Sequence, residues 1–82
     1  MNTAGNNWND LEGKLFRRFE FANFVDSLAF VNKVGDLAEK AGHHPDISFG
    51  WGYAEITLFT HSENAITDKD KSLALKINNL LL

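Results

Sequence analysis

Gly42-His43-His44-Pro45 divides the 82-residue chain into two periodic regimes. Before it, Phe24, Leu28, Val31, Leu37, Ala38 and Ala41 recur at helical spacing, while Asp26, Asn32, Lys33, Asp36, Glu39 and Lys40 face away. This predicts a long amphipathic helix, begun by Asn23 as N-cap with Asp26 as the other half of a capping box. Gly42 supplies the left-handed residue after the helix, and Pro45 forbids continuation. After the break the period falls to two, with Ile47, Phe49 and Trp51 alternating first. Ala54, Ile56 and Leu58 then alternate with Tyr53, Glu55, Thr57, Phe59 and His61, the pattern of strands. A chain with this boundary has to place one or both histidines at a helix exit.

The remaining segments follow from the same rules. Leu15 to Phe21 reads as a first strand with an imperfect period of two. Gly50-Trp51-Gly52 reads as the tight turn of a hairpin, a bulge in one longer strand being the alternative. By strand parity His61 projects from a strand end, opposite Ala54, Ile56 and Leu58. Ser62 to Ile66 is a loop, and Thr67 with Asp70 forms a second capping box, opening a helix whose inner stripe is Leu73, Ala74, Ile77 and Leu81. The order strand, helix, strand, strand, helix defines an α+β fold, an antiparallel sheet with helices packed on one face. Residues 1–7 are expected to be a flexible N-terminal tail and residues 8–82 a single domain, with Trp8 its first anchoring side chain.

Composition excludes several classes of function. A chain this short forms a marginal core, and without cysteine there is no disulfide or thiolate metal site to reinforce it, so self-association is expected. The net charge of −3 argues against nucleic-acid binding, which needs concentrated Lys and Arg. Lys14, Arg17 and Arg18 are expected on a solvated sheet surface. No apolar run approaches the ~20 residues of a membrane span, and Met1 to Asn9 lacks the basic and apolar regions of a signal peptide. A soluble cytoplasmic protein without membrane contact is expected.

The three histidines, His43, His44 and His61, carry the chemistry. Imidazole titrates near neutrality and can give and take a proton without large tuning. Taken locally, His43 and His44 suit a helix C-terminus and His61 a hydrogen-bonded surface position. A metal site is not expected, because adjacent histidines lack the i, i+4 arrangement that aims two rings at one ion. Asp70 reads either as a helix cap or as a carboxylate orienting an imidazole. Glu39, one turn before the pair, reads as an exposed helical carboxylate that also lies within reach of them. Trp51, Tyr53 and Phe59 are candidates to stack on a flat ligand or to pack on the sheet. Nucleophilic catalysis has no support, since cysteine is absent and Ser62 lacks an elbow motif.

Ala38-Glu39-Lys40-x-x-His43-His44-Pro45-Asp46, Phe49-Gly50-Trp51-Gly52-Tyr53, Thr60-His61 and Thr67-x-x-Asp70-x-x-Leu73-Ala74 together resemble the pterin-4a-carbinolamine dehydratases. Upstream, Trp8-Asn9-x-Leu11-Glu12-Gly13, Phe19-x-Phe21 and Phe24 fit the same family, so the resemblance runs from Trp8 nearly to the chain end. It implies a hydro-lyase that dehydrates 4a-hydroxytetrahydropterin to quinonoid dihydropterin by general acid–base catalysis, in tetrahydropterin recycling, without metal or cofactor. By that analogy His43 and His61 are the candidate donors of a proton to the departing hydroxyl, and His44 binds the pterin and is the candidate to take the N5 proton, the resemblance leaving open which ring is acid and which is base. Asp70 and Glu39 support the imidazoles, and Pro45, Thr60, Ser62 and Glu63 line the pterin site. A homodimer or homotetramer is implied. The same family also implies a rival role, a non-catalytic dimerisation cofactor for a transcription factor. One departure stands out: Asn64-Ala65-Ile66-Thr67 replaces the family's glycine-containing loop, leaving Asn64 as the residue able to adopt a left-handed conformation.

Overall fold

Ala54, Ile56 and Leu58, the alternating row of the last strand, have no solvent exposure and form the centre of the inner sheet face. The computed structural model describes residues 8–81, so the expected tail at residues 1–7 lies outside the described residues. Its strands are β1 (Asn9–Leu11), β2 (Lys14–Glu20), β3 (Asp46–Gly50) and β4 (Tyr53–Leu58). Two helices complete it, α1 (Phe24–Ala41) between β2 and β3 and α2 (Asp68–Asn79) at the end. The strands form one antiparallel sheet in the order β1-β2-β4-β3. Register pairs Leu15 with Leu58, Phe19 with Ala54 and Ile47 with Ile56, which puts the apolar side chains on one face. Phe30, Val34 and Ala38 of α1 and Leu73, Ala74 and Ile77 of α2 cover that face. The expected α+β architecture is therefore the observed one, and the hairpin turn falls at Trp51-Gly52, with Gly52 at φ +80°.

Several local expectations are corrected. β1 escapes detection because its residues, Asn9, Asp10 and Leu11, are all exposed and carry no alternation. What makes it is the following turn, in which Glu12 and Gly13 both have positive φ, as a tight hairpin requires. Asp10 Oδ1 accepts the Gly13 N–H at 2.9 Å.

The buried stripe of α1 runs through Ser27, Phe30, Val34 and Ala38. Phe24 and Leu28, expected to face the core, are exposed, and Val31 and Leu37 only flank it. Apolar residues surround most of this helix, and the true stripe contains a serine. Ser27 is buried because its Oγ donates to the Gly50 carbonyl at 2.6 Å, tying the helix start to the hairpin. In α2, Leu80 rather than Leu81 packs on the core, because regular helix stops at Asn79 and the register changes. Arg17 also differs from expectation: it lies on the helix-covered face. Its guanidinium sits 4.3 Å from the Phe19 ring centroid and donates to Asn78 Oδ1 at 2.6 Å, which also accepts Trp8 Nε1–H at 2.8 Å. Burial lowers the Arg17 pKa. Arg18 faces outward as expected, between Glu20 and Glu55.

The exit from α1 positions the first site residues. Asn23 Oδ1 accepts the Asp26 N–H at 2.8 Å at the start of the helix. At its end Gly42 takes φ 64° and ψ 29°, its N–H donating to Glu39 O, while His43 N–H donates to Ala38 O at 3.2 Å. This paired closure fixes His43 by its backbone one residue past the turn. A Cβ at Gly42 meets nothing within 4 Å, so any cost of alanine there is conformational. Gly42→Ala is expected to lose about 1–2 kcal/mol of unfolding free energy, measured by urea denaturation; unchanged stability would contradict the left-handed closure.

Candidate active site

Three segments meet at the sheet end where β4 finishes and β3 begins. His43 and His44 arrive from the α1 exit, Thr60 to Ser62 from the segment after β4, and Asp70 from the first turn of α2. Asp70 joins them. It has no solvent exposure, and its Oδ1 accepts His43 Nε2–H at 2.5 Å. Its Oδ2 accepts the Thr60 hydroxyl at 2.7 Å and the Thr67 backbone N–H at 2.9 Å. The two readings of Asp70 are thus both realised: it closes the capping box of α2 and also holds an imidazole. Because an ionised carboxylate only accepts, Thr60 must donate to it. Thr67 Oγ1, 2.7 Å from Thr60 Oγ1, is then the donor of that pair.

The segment from Thr60 to Thr67 is more ordered than an open loop. Thr60 and Ala65 form an antiparallel bridge. Inside it His61–Glu63 make a 3-10 turn, and Asn64 reverses the chain at φ 53° and ψ 40°. Asn64 thus supplies the left-handed geometry that a glycine supplies elsewhere. His61 consequently starts this turn and does not project from a strand end: β4 stops at Leu58, and Thr60 continues the inner row as a buried residue.

His43, His44 and His61 line one open cleft of about 310 Å³, together with Phe59, Thr60 and Ser62. His43 is its buried member, its side chain 13% exposed. His44 is open to solvent and donates Nε2–H to Glu39 Oε2 at 2.6 Å, so Glu39 is within reach of the histidine pair. The His61 ring meets Phe59 edge to face at 5.1 Å. Of the three aromatics considered for stacking, only Phe59 is at the cleft; Trp51 and Tyr53 lie at the turn end of the hairpin, Tyr53 about 20 Å from Phe59 along the strand. Pro45 and Glu63 do not line the cleft; Glu63 borders the adjacent depression with Thr67 and Asp68. Lys69 does line it and was not singled out in the sequence. The signal was its place beside Asp70, but a lysine in a helix's first turn reads as solvated surface. A larger groove of about 440 Å³, lined by Glu12, Lys14 and Asn64 among others, contains no histidine.

Burial works to raise the Asp70 carboxyl. Hydrogen bonds from His43, Thr67 and Thr60, with the charge of His43, outweigh it and hold the carboxyl below its ordinary value. The carboxylate is therefore ionised at neutral pH and fixes the His43 tautomer. With Nε2–H committed to Asp70, Nδ1 is the ring atom left to exchange a proton.

Fold and site together define a class, an α+β sandwich with a histidine-lined cleft at one end of its sheet. The chain belongs to the pterin 4 alpha carbinolamine dehydratase family, whose description it matches over residues 1–80. It is 54% identical over 69 residues to a provisionally named pterin-4-alpha-carbinolamine dehydratase of Rubrobacter xylanophilus, covering 84% of this chain and 64% of that one. A provisionally named counterpart of Thermosynechococcus vestitus is 45% identical over 73 residues, 89% of this chain and 77% of that one. The chain thus spans slightly less than two thirds of the Rubrobacter relative. Among solved structures, a transcriptional coactivator/pterin dehydratase from Brucella melitensis superposes with a TM-score of 0.85 at 32% identity, covering 90% of this chain and 81% of that one. A pterin dehydratase-like RuBisCO assembly factor of the alpha-carboxysome gives 0.73 at 28% identity, with 89% and 84% covered.

Asp70→Asn removes the charge and leaves one oxygen to serve both sides, and is expected to cost about 1–3 kcal/mol at neutral pH. A carboxyl whose folded pKa is depressed contributes stability above its unfolded value of about 3.9, and loses it as pH falls through the folded value. The stability difference between wild type and Asp70→Asn should therefore shrink as pH falls below about 4. Urea unfolding across that range checks it, and a difference that persists undiminished in acid would contradict it.

Proposed function

We propose that the protein is a hydro-lyase that dehydrates 4a-hydroxytetrahydropterin to quinonoid dihydropterin, in tetrahydropterin recycling in the cytoplasm. The observation that carries this reading is the convergence of three imidazoles on one cleft, with His43 held by the buried carboxylate of Asp70. The reaction breaks the C4a–O bond, and the oxygen leaves as water after taking a proton from an acid. The N5–H bond also breaks; its electron pair forms the C4a=N5 bond and its proton passes to a base. Oxidation state does not change, so one acid and one base suffice. In this reading His43, as an imidazolium giving up its Nδ1 proton, or His61 supplies the one proton to the hydroxyl, and His44 binds the pterin and is the candidate to accept the N5 proton. Asp70 and Glu39 orient His43 and His44, and Thr60 and Ser62 form the polar wall; Pro45 and Glu63, expected to line the pterin site, lie outside the cleft.

We read the working form as a homo-oligomer. Val25, 71% exposed, lies beside exposed Phe24 and Leu28 on α1, more apolar surface than one small helix usually leaves uncovered. A second reading, a non-catalytic assembly or coactivator module, is favoured by the words RuBisCO assembly factor and transcriptional coactivator in the names of the two structural relatives, the second of which is also named a pterin dehydratase. Docking of that kind does not require imidazoles.

The readings separate in an assay of freshly generated 4a-hydroxytetrahydropterin. Wild type is expected to exceed the buffer rate, with His43→Ala, His44→Ala and His61→Ala each losing about 10²-fold or more. Wild-type activity equal to buffer sinks the dehydratase reading, and a fully active His61→Ala sinks the role of His61.

A further inference from the structure

Lys69 is unexplained by the site as described. It is the residue before Asp70, so while Asp70 points inward, the Lys69 side chain starts about 100° around the helix, at the cleft rim. It lines the same cleft as the three histidines and also borders the two depressions on either side. Among the cleft-lining residues it is the permanently charged one. Glu63 and Asp68 share one neighbouring depression with it, and no ion pair joins either to it among the described residues. An ammonium group with three donors and no ion-pair partner among the described residues, at the mouth of a ligand cleft, is suited to an acceptor on the ligand.

We propose that Lys69 orients the pterin by donating a hydrogen bond to its C4 carbonyl oxygen. The inference rests on the dehydratase reading. The histidines must face the C4a–N5 edge, where both bonds break, and the C4 carbonyl is bonded directly to C4a. The 2-amino group and ring N–H groups are donors and cannot accept from an ammonium; the 4a-hydroxyl is the departing group that the histidines protonate, so the carbonyl is the nearest oxygen acceptor left for Lys69. A contact to an oxygen that neither forms nor loses a bond serves the bound substrate and the transition state alike. It therefore acts on KM and leaves kcat in place.

The experiment compares wild type, Lys69→Met and Lys69→Arg in the dehydration assay. It adds equilibrium dialysis of a stable 4-oxo dihydropterin and of its 4-amino counterpart, which lacks the acceptor. Lys69→Met is expected to raise KM about tenfold, the low end for a charged hydrogen bond, with kcat within about twofold and an unshifted pH profile. Lys69→Arg is expected to remain within about threefold of wild type. The preference for the 4-oxo over the 4-amino ligand should fall about tenfold in Lys69→Met. An unchanged KM and preference overturn the proposal, as does a fall in kcat with a shifted pH profile, which would make Lys69 a tuner of the histidines. If wild type proves inactive, the dehydratase reading fails separately. The dialysis arm then still decides: selective loss of 4-oxo binding in Lys69→Met upholds the contact, and no binding to wild type overturns it.

Discussion

The carboxylate of Asp70 is the one interaction on which the arrangement of the site depends. It is removed from water, and burying an unpaired charge would cost several kcal/mol. It is tolerated because three donors surround it, and these come from three separate parts of the chain: the α1 exit, the segment after β4 and the cap of α2. The same bonds that make the charge tolerable also fix His43 and dock α2 on the end of the sheet. A single group thus couples helix capping, tertiary packing and the orientation of an imidazole. The second pair, His44 with Glu39, uses the same chemistry in solvent. Ion pairs exposed to that degree contribute little to stability, so Glu39 matters for the direction of the His44 ring more than for the fold.

The local rules that build this junction were legible in the sequence because they are short-range. Gly42 before Pro45, Asn23 before Asp26 and Thr67 before Asp70 are cap signals that a few residues determine. The inner rows of β4 and α2 were legible too, as clean alternation and helical spacing. What was lost depended on partners distant in the chain. The buried stripe of α1 could not be chosen from a helix apolar on most sides. The choice is made by Ser27, whose acceptor is the carbonyl of Gly50, 23 residues away. Arg17 looked like sheet surface until its partner, Asn78, was brought beneath it by α2. β1 has no pattern of its own and exists through the turn that follows it.

The site divides in the same way. The histidines and Asp70 were identified as residues, but that His43 is the one paired with Asp70 depends on the docking of α2. Family resemblance, not spacing, first united the strand-end and helix-exit histidines; the structure supplies a physical reason, since β4 ends where β3 begins. The Asn64 position illustrates how a departure from the family pattern can preserve geometry. Its left-handed backbone closes the Thr60–Ala65 bridge, which sets the distance between His61 and the cap of α2. Lys69 was passed over because a first-turn lysine is ordinary, and only the shape of the cleft gives it a position.

The central claim is that Asp70 holds His43 in one tautomer, with Nε2 protonated and Nδ1 available for proton exchange. The most direct measurement is the pair of imidazole 15N shifts of neutral His43 in a long-range 1H–15N spectrum. The account predicts a protonated Nε2 and an unprotonated Nδ1 in wild type, with this preference weakened in Asp70→Asn. A neutral His43 carrying its proton on Nδ1, or a tautomer indifferent to Asp70, would contradict it.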